Sequence, residues 1–259
     1  MRLLLALLAL SLTAVAEDNR RISLEGAPGV PMPAQEIGKD GIARVGKVEQ
    51  ASLELFPAKT QPAKGTIVIC PGGGYRILAI DHEGRDVARM LNDAGWDAAV
   101  LAYHVNEGDS TRAQALADAT SALKLLQKRG AEFGLATGKL GLFGFSAGGH
   151  LAARTSHELA STGIPHFLVL LYPAYLEKSG TVVDEVAPAK IPTFVYVAGN
   201  DQYAPSAVAF AAALKAGGIP HEFYKPDLGG HGFGLKKDLP EAVRDWPEKL
   251  KAFLATVAK

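Results

Sequence analysis

A serine hydroxyl becomes a competent nucleophile only when a base takes its proton and a third group orients that base. The sequence holds a serine placed for such work in Gly144-Phe145-Ser146-Ala147-Gly148. Residues 139–145 (KLGLFGF) are a short, largely apolar run of the kind a buried parallel strand shows, and residues 147–161 read as a helix. At such a strand-to-helix turn a serine is held in a strained conformation with its hydroxyl clear of the sheet. Glycines two residues to either side leave room for backbone that side chains would block. The five-residue pattern alone is weak in a glycine-rich chain. In its strand–turn–helix setting it is strong.

The rest of the chain must supply the scaffold. Strands are expected over 66–70 (TIVIC), 98–105, 139–145, 167–172, 193–198 and 222–225. They alternate with helices expected over 84–94, 111–133, 147–161, 206–216 and 239–258. That alternation predicts a mostly parallel central sheet covered by helices on both faces. Residues 48–56 alternate apolar and polar positions as an edge strand does. Residues 17–46, centred on Gly26-Ala27-Pro28-Gly29-Val30-Pro31, are expected to lie as an N-terminal arm over one domain spanning 47–259. The sequence has no internal repeat that would mark a second domain.

The first residues carry a different signal. Met1-Arg2, an apolar run over 3–12 and Ala14-Val15-Ala16 have the form of a secretory signal peptide over 1–16, cleaved before Glu17. The run is too short to span a bilayer. The expected location is therefore secreted or periplasmic, with no membrane attachment after cleavage. Lysine plus arginine equals aspartate plus glutamate at 27 each, with no basic cluster, which argues against nucleic acid or an anionic membrane as partner. Cys70 is the only cysteine, so no internal disulfide can form, and no Cys/His spacing matches a zinc site. Neither a metal nor an organic cofactor is expected. Oligomeric state leaves no mark on the sequence.

A G-x-S-x-G at this junction is the nucleophile elbow of the α/β-hydrolases, where an acid and then a histidine follow on loops after later strands. Asp201 stands in Gly199-Asn200-Asp201, directly after the 193–198 strand and before a helix. A helix cap is the alternative reading for it. Asp184 and Asp227 are lesser candidates, one in an irregular connection and the other after the wrong strand. His231, in Gly229-Gly230-His231-Gly232-Phe233, alone among seven histidines occupies the position of the base. His150 sits one helical turn beyond Ser146 and reads as a packing or hydrogen-bonding residue. His82, His104, His157, His166 and His221 read as surface or satisfied core groups. Pro71-Gly72-Gly73-Gly74-Tyr75 follows the 66–70 strand. Its bare backbone suits an oxyanion hole in which Gly73 or Gly74 donates together with Ala147; an ordinary tight turn is the alternative. Cys70 ends a buried strand without an activating base, so core packing accounts for it.

Taken together, these residues resemble the acetylxylan-esterase-like branch of the α/β-hydrolase superfamily, which includes secreted xylan acetyl and feruloyl esterases. The resemblance runs from about Leu24 to the end. It rests on Pro71-Gly72-Gly73-Gly74-Tyr75, His82-Glu83-Gly84, Gly144 to Ala152 (GFSAGGHLA) and Gly230-His231-Gly232-Phe233-Gly234. It implies a single-domain α/β-hydrolase fold with Ser146 as nucleophile, His231 as base and Asp201 as acid. It also implies two-step ester hydrolysis. Two departures stand out: Asp201-Gln202-Tyr203-Ala204-Pro205 where relatives commonly read D-P-x-V-P, and Tyr103-His104 where Tyr-Arg is frequent.

The short connection between Tyr172 and Thr193 leaves no large lid, and an open site suits an acyl group hanging from a polymer. Tyr75, Tyr103, Tyr175 and Tyr203 are candidate stacking faces for sugars, with His82 a further candidate substrate contact. The expected function is a secreted serine carboxylic-ester hydrolase, a carbohydrate esterase removing acetyl groups from xylan or a related polysaccharide. Its substrate partner would be an acylated oligo- or polysaccharide. The alternatives are a feruloyl esterase on plant polysaccharide, a serine peptidase of prolyl-oligopeptidase type and a catalytically dead glycan-binding protein. The peptidase reading lacks a propeller or cap domain. The binding-protein reading requires a broken triad, and every expected member is present.

Overall fold

The computed structural model describes residues 20–259; the expected signal peptide and the first residues of the arm lie outside them. Eight strands form the main sheet: β1 (Arg21–Ser23), β4 (Ser52–Phe56), β5 (Thr66–Cys70), β6 (Asp97–Ala102), β7 (Leu140–Phe145), β8 (Phe167–Leu171), β11 (Thr193–Tyr196) and β12 (His221–Tyr224). Two small antiparallel pairs lie outside it, β2 (Gln35–Ile37) with β3 (Ala43–Val45) and β9 (Glu177–Lys178) with β10 (Thr181–Val182). The main helices are α1 (Asp86–Asp93), α2 (Thr111–Arg129), α3 (Ala147–Glu158), α4 (Ala204–Ala216) and α5 (Trp246–Val257).

The strand order is β1-β4-β6-β5-β7-β8-β11-β12. β4 pairs antiparallel with β1 and β6, and the remaining neighbours are parallel. Every residue of β5, β6, β7, β8 and β11 is buried, as expected of strands covered on both faces. The chain steps from β5 to β6 in one direction and then returns past β5 to β7. Right-handed crossovers therefore put α1 on one face and α2, α3 and α4 on the other. The reversal opens a crevice at the carboxyl ends of β5 and β7, the usual ligand position in such sheets.

The observed elements match the expected ones, with a few shifts. Residues 48–56 were expected to be the edge strand. Instead β1, from the segment expected to lie as an arm, pairs outside β4 through Arg21↔Glu54 and Ser23↔Ser52. Arg21 binds the Glu54 carboxylate at 2.5 Å and Ile22 is buried, so this three-residue strand is fixed by side chains rather than length. Farther along, Val45 and Leu78 exchange backbone hydrogen bonds of 2.9 and 3.0 Å, tying the arm to the chain just after the glycine loop. The final helix begins at Trp246, not 239, because Pro240 interrupts the run, residues 241–243 form a 3₁₀ turn, and Pro247 is accommodated only in a helix's first turn. A π-turn at Asp81–Arg85 precedes α1. Such turns occur frequently at functional sites.

Candidate active site

Ser146 closes β7 with φ 51° and ψ −119°, a strained conformation for a residue with a side chain. The helix behind it approaches the glycine loop closely. A Cβ at Gly148 would overlap the carbonyl oxygens of Cys70 and Pro71. A Cβ at Gly72 would lie 2.9 Å from the Cβ of Ser146. Only bare backbone lets loop and elbow meet this way. The N–H of Ala147 is an unpaired first-turn donor of α3. Among the described residues the N–H groups of Gly73 and Gly74 donate to no protein acceptor. These backbone donors, on the glycine loop and at the start of α3, are the candidates for holding a developing oxyanion.

The imidazole arrives from the loop after β12. His231 Nε2 is 2.8 Å from Ser146 Oγ, and its Nδ1 is 2.7 Å from Asp201 Oδ2. The carboxylate of Asp201 is fully buried, whereas the imidazole keeps about a quarter of its surface exposed. Asp201 Oδ1 accepts the Tyr203 N–H at 2.7 Å, so the acid is held within its own loop. Asn200 Oδ1 accepts the Gly230 N–H at 2.9 Å and ties that loop to the histidine loop. The rings of Tyr172 and Tyr203 flank the imidazole with centroids 5.1 and 5.0 Å away. Asp184 and Asp227 are exposed and take no part in this chain of bonds.

A buried carboxylate, Glu83, joins the two halves of the site. Its Oε2 accepts the Gly72 N–H at 2.8 Å and its Oε1 accepts the Tyr172 O–H at 2.8 Å. Tyr172 Oη in turn accepts the Gly234 N–H at 2.8 Å, and the Gly234 carbonyl accepts the Trp246 indole N–H at 3.0 Å. One side chain therefore links the glycine loop to the histidine loop. In the sequence Glu83 stands out only within His82-Glu83-Gly84, whose spacing carries no sign of the bridge. Tyr172 and Asn200 were missed as well; nothing in their local pattern separates them from core or turn residues.

The expected sugar contacts need correction. Tyr75 is 6% exposed and its hydroxyl pairs with His150 Nδ1 at 2.7 Å. Tyr103 is 0% exposed and donates to the Pro71 carbonyl at 2.6 Å. Tyr103 therefore offers no face to a sugar, and Tyr75 shows only a small part of its surface, on the wall of a cavity it shares with Arg76 and Arg112. His82 is also buried, and desolvation lowers its pKa. Composition does not reveal which way such side chains point. Tyr203 and Tyr175 are half-buried beside the site, with hydroxyls 3.5 Å apart.

His150 is fully buried between Tyr75 and Tyr175, and its pKa falls to about 4 because burial and the nearby Arg112 and Arg154 oppose its charge. Cys70 is buried and desolvation raises its pKa, which keeps the thiol protonated. Among the described residues no three His, Cys, Asp or Glu side chains gather in a way that could hold a metal ion. The segment between β8 and β11 holds only the β9–β10 hairpin and a 3₁₀ turn, so the serine has no large cover. Chemically, the arrangement is a serine, a base and an orienting acid beside unpaired backbone donors, which suits acyl transfer.

The chain is similar to several known proteins. A family model described as an alpha/beta hydrolase fold matches residues 67–191. An acetylxylan esterase of Xylanibacter ruminicola is 25% identical over 250 residues, 84% of this chain and 51% of that protein. Endo-1,4-beta-xylanase B of Butyrivibrio fibrisolvens is 25% identical over 209 residues, 66% of this chain and 33% of that protein. The chain thus spans about half and about a third of the lengths of these two relatives. Among solved structures, an acetyl ester-xyloside bifunctional hydrolase from Caldicellulosiruptor lactoaceticus superposes with a TM-score of 0.66 at 25% identity, covering 80% of this chain and 88% of that one. With the strand order, these matches establish the α/β-hydrolase fold, and they agree with the resemblance to the acetylxylan-esterase-like branch.

Proposed function

We propose that this α/β-hydrolase is a serine carbohydrate esterase that removes acetyl groups from xylan or a related polysaccharide outside the cytoplasm. The observation that carries the reading is the unbroken line from Asp201 to His231 to Ser146, with contacts of 2.7 and 2.8 Å. Similarity to an acetylxylan esterase and to an acetyl ester-xyloside hydrolase supports the choice of acyl group and sugar. The signal-like residues 1–16 support export.

In the proposed mechanism Ser146 Oγ attacks the ester carbonyl carbon while His231 Nε2 takes the hydroxyl proton. Asp201 holds the imidazole in the productive tautomer and stabilises its positive charge. The carbonyl oxygen becomes an oxyanion and accepts hydrogen bonds from the Ala147 N–H and from Gly73 or Gly74. A single such donor is worth roughly 10²–10³ in turnover. His231 then protonates the sugar oxygen as the carbon–oxygen bond breaks, leaving an acyl-enzyme on Ser146. Water attacks that ester with His231 again as base, acetate departs and the serine regains its proton. The uncovered approach to Ser146 suits a substituent on a long chain.

Acetate release from acetylated xylan tests the reading. The native protein should release acetate, and Ser146→Ala should lower turnover by several orders of magnitude, because triad members act as a unit. Retention of most activity in Ser146→Ala would refute the nucleophile. Release of ferulate but no acetate from doubly esterified xylan would move the function to the feruloyl alternative.

A further inference from the structure

The rim of the site carries positive charge that the proposed mechanism does not use. Arg21, Arg44, Arg85, Arg89 and Arg129 each pair with a carboxylate. Among the described residues, Arg20, Arg76, Arg112, Arg154 and Arg244 do not. Arg76, Arg112 and Arg154 converge on one place. The Arg112 guanidinium stands 5.0 Å from the Tyr175 ring centre and 5.6 Å from that of Tyr75. Arg112 and Arg154 both oppose protonation of His150. Arg76 Nε lies 3.9 Å from the position a Cβ would take on Gly74. Arg76 and Arg112 border a cavity of about 340 Å³ that Gly74, Asn106 and Asp109 also line. The chain as a whole is neutral, with 27 charges of each sign, so this field is local.

The cavity shares a wall residue with the candidate active site. Gly74 belongs to the candidate oxyanion loop. From Arg112 the contacts run through Tyr175, whose hydroxyl is 3.5 Å from that of Tyr203, to the Tyr203 ring 5.0 Å from His231. A substrate with its ester at Ser146 that ran along this aromatic pair would reach two guanidinium groups that, among the described residues, form no ion pair with a carboxylate. Two arginines and the single Asp109 leave one net positive charge on the cavity wall. That matches one carboxylate better than a phosphate dianion. Planar guanidinium groups bind carboxylates in paired hydrogen bonds, which makes them selective as well as attractive.

We propose that the pocket between Arg76 and Arg112 binds a carboxylate on the sugar portion of the substrate, so that the site favours acylated glycans bearing a uronic acid unit. This rests on the esterase reading and narrows its substrate class.

Calorimetry on Ser146→Ala, which cannot turn over the ligand, tests binding separately from hydrolysis. The probes are acetylated xylo-oligosaccharides with and without a uronic acid branch. The acidic probe should bind about tenfold more tightly in low salt, with the preference shrinking as salt rises. Adding Arg76→Gln and Arg112→Gln should reduce the preference to less than about threefold. Equal affinity of Ser146→Ala for the two probes would overturn the proposal. So would a preference that survives loss of both arginines. A second arm compares the succinyl and acetyl esters of p-nitrophenol on the wild-type and Arg76→Gln/Arg112→Gln enzymes. A selective loss on the succinyl ester without loss of uronate preference would place the carboxylate on the acyl side and overturn the sugar-side assignment. Uronate preference in an otherwise inactive protein would leave the pocket standing and refute the esterase reading. Hydrolysis without the preference would do the reverse.

Discussion

Glu83 and Tyr172 share a 2.8 Å hydrogen bond inside the domain, although 89 residues separate them along the chain. Their pairing matters because each also holds one side of the active site. Glu83 fixes the glycine loop through Gly72, and Tyr172 fixes the histidine loop through Gly234. A buried carboxylate accepting two hydrogen bonds is costly to disturb, since any change leaves a donor unpaired in a dry interior.

Replacing Glu83 by Gln keeps the volume but gives up one acceptor. We expect kcat for a small acetyl ester to fall about 10- to 100-fold with KM changed less than about threefold, since loop position affects the transition state more than ground-state binding. Urea unfolding should show a loss of about 1–3 kcal/mol. Steady-state kinetics beside the denaturation curve separates the two effects. A variant that loses stability but keeps its kcat would show that the bridge holds the fold and not the site.

His150 makes acid stability a second test. Its ordinary pKa is 6.5 and the fold lowers it to about 4, chiefly through burial, with Arg112 and Arg154 adding repulsion and Glu185 partly offsetting it. The folded chain therefore resists protonation that the unfolded chain accepts. The stability from keeping this ring neutral is fully present above about pH 6.5 and is lost as pH falls toward 4, by at most on the order of 3 kcal/mol. In His150→Gln the urea midpoint should decline less over that window than in the native protein. Parallel declines in the two proteins would show that other groups govern acid unfolding.

Asp201→Asn should preserve the fold and lower kcat by about 10³–10⁴, because an amide donates where the imidazole needs an acceptor and the wrong tautomer results. Circular dichroism would confirm the fold and ester assays would measure the loss. A drop of less than tenfold would return Asp201 to its other reading, a residue that only caps the 201–203 turn through the Tyr203 N–H.

How much of this could be read from the chain alone follows from what local pattern encodes. Buried strands such as Thr66–Cys70 and Phe167–Leu171 are continuous apolar runs, and the alternation with helices fixes a parallel sheet. Ser146, Asp201 and His231 stand at loops whose order along the chain is distinctive, so they were legible as candidates before their contacts were known. Arg21–Ser23 was not, because three residues among Gly and Pro carry no periodicity and the strand is held by the distant Glu54. Tyr75 and Tyr103 were misread because aromatic type says nothing about which way a ring points. Here both point inward, one onto His150 and the other onto Pro71. Glu83 shows the same limit from the opposite side. Its partners lie 11 and 89 residues away, and only the folded chain brings them together.

In the proposed mechanism His231, oriented by Asp201, makes one hydroxyl, that of Ser146, reactive toward acyl centres. Intact-mass spectrometry after treatment with a fluorophosphonate ester measures this directly, with peptide mapping to locate the adduct. The account predicts one adduct per chain, carried by Ser146, absent from Ser146→Ala and formed at least about 100-fold more slowly in His231→Ala. An unlabelled native protein, or an adduct on Ser146 that forms as fast without the imidazole, would contradict it.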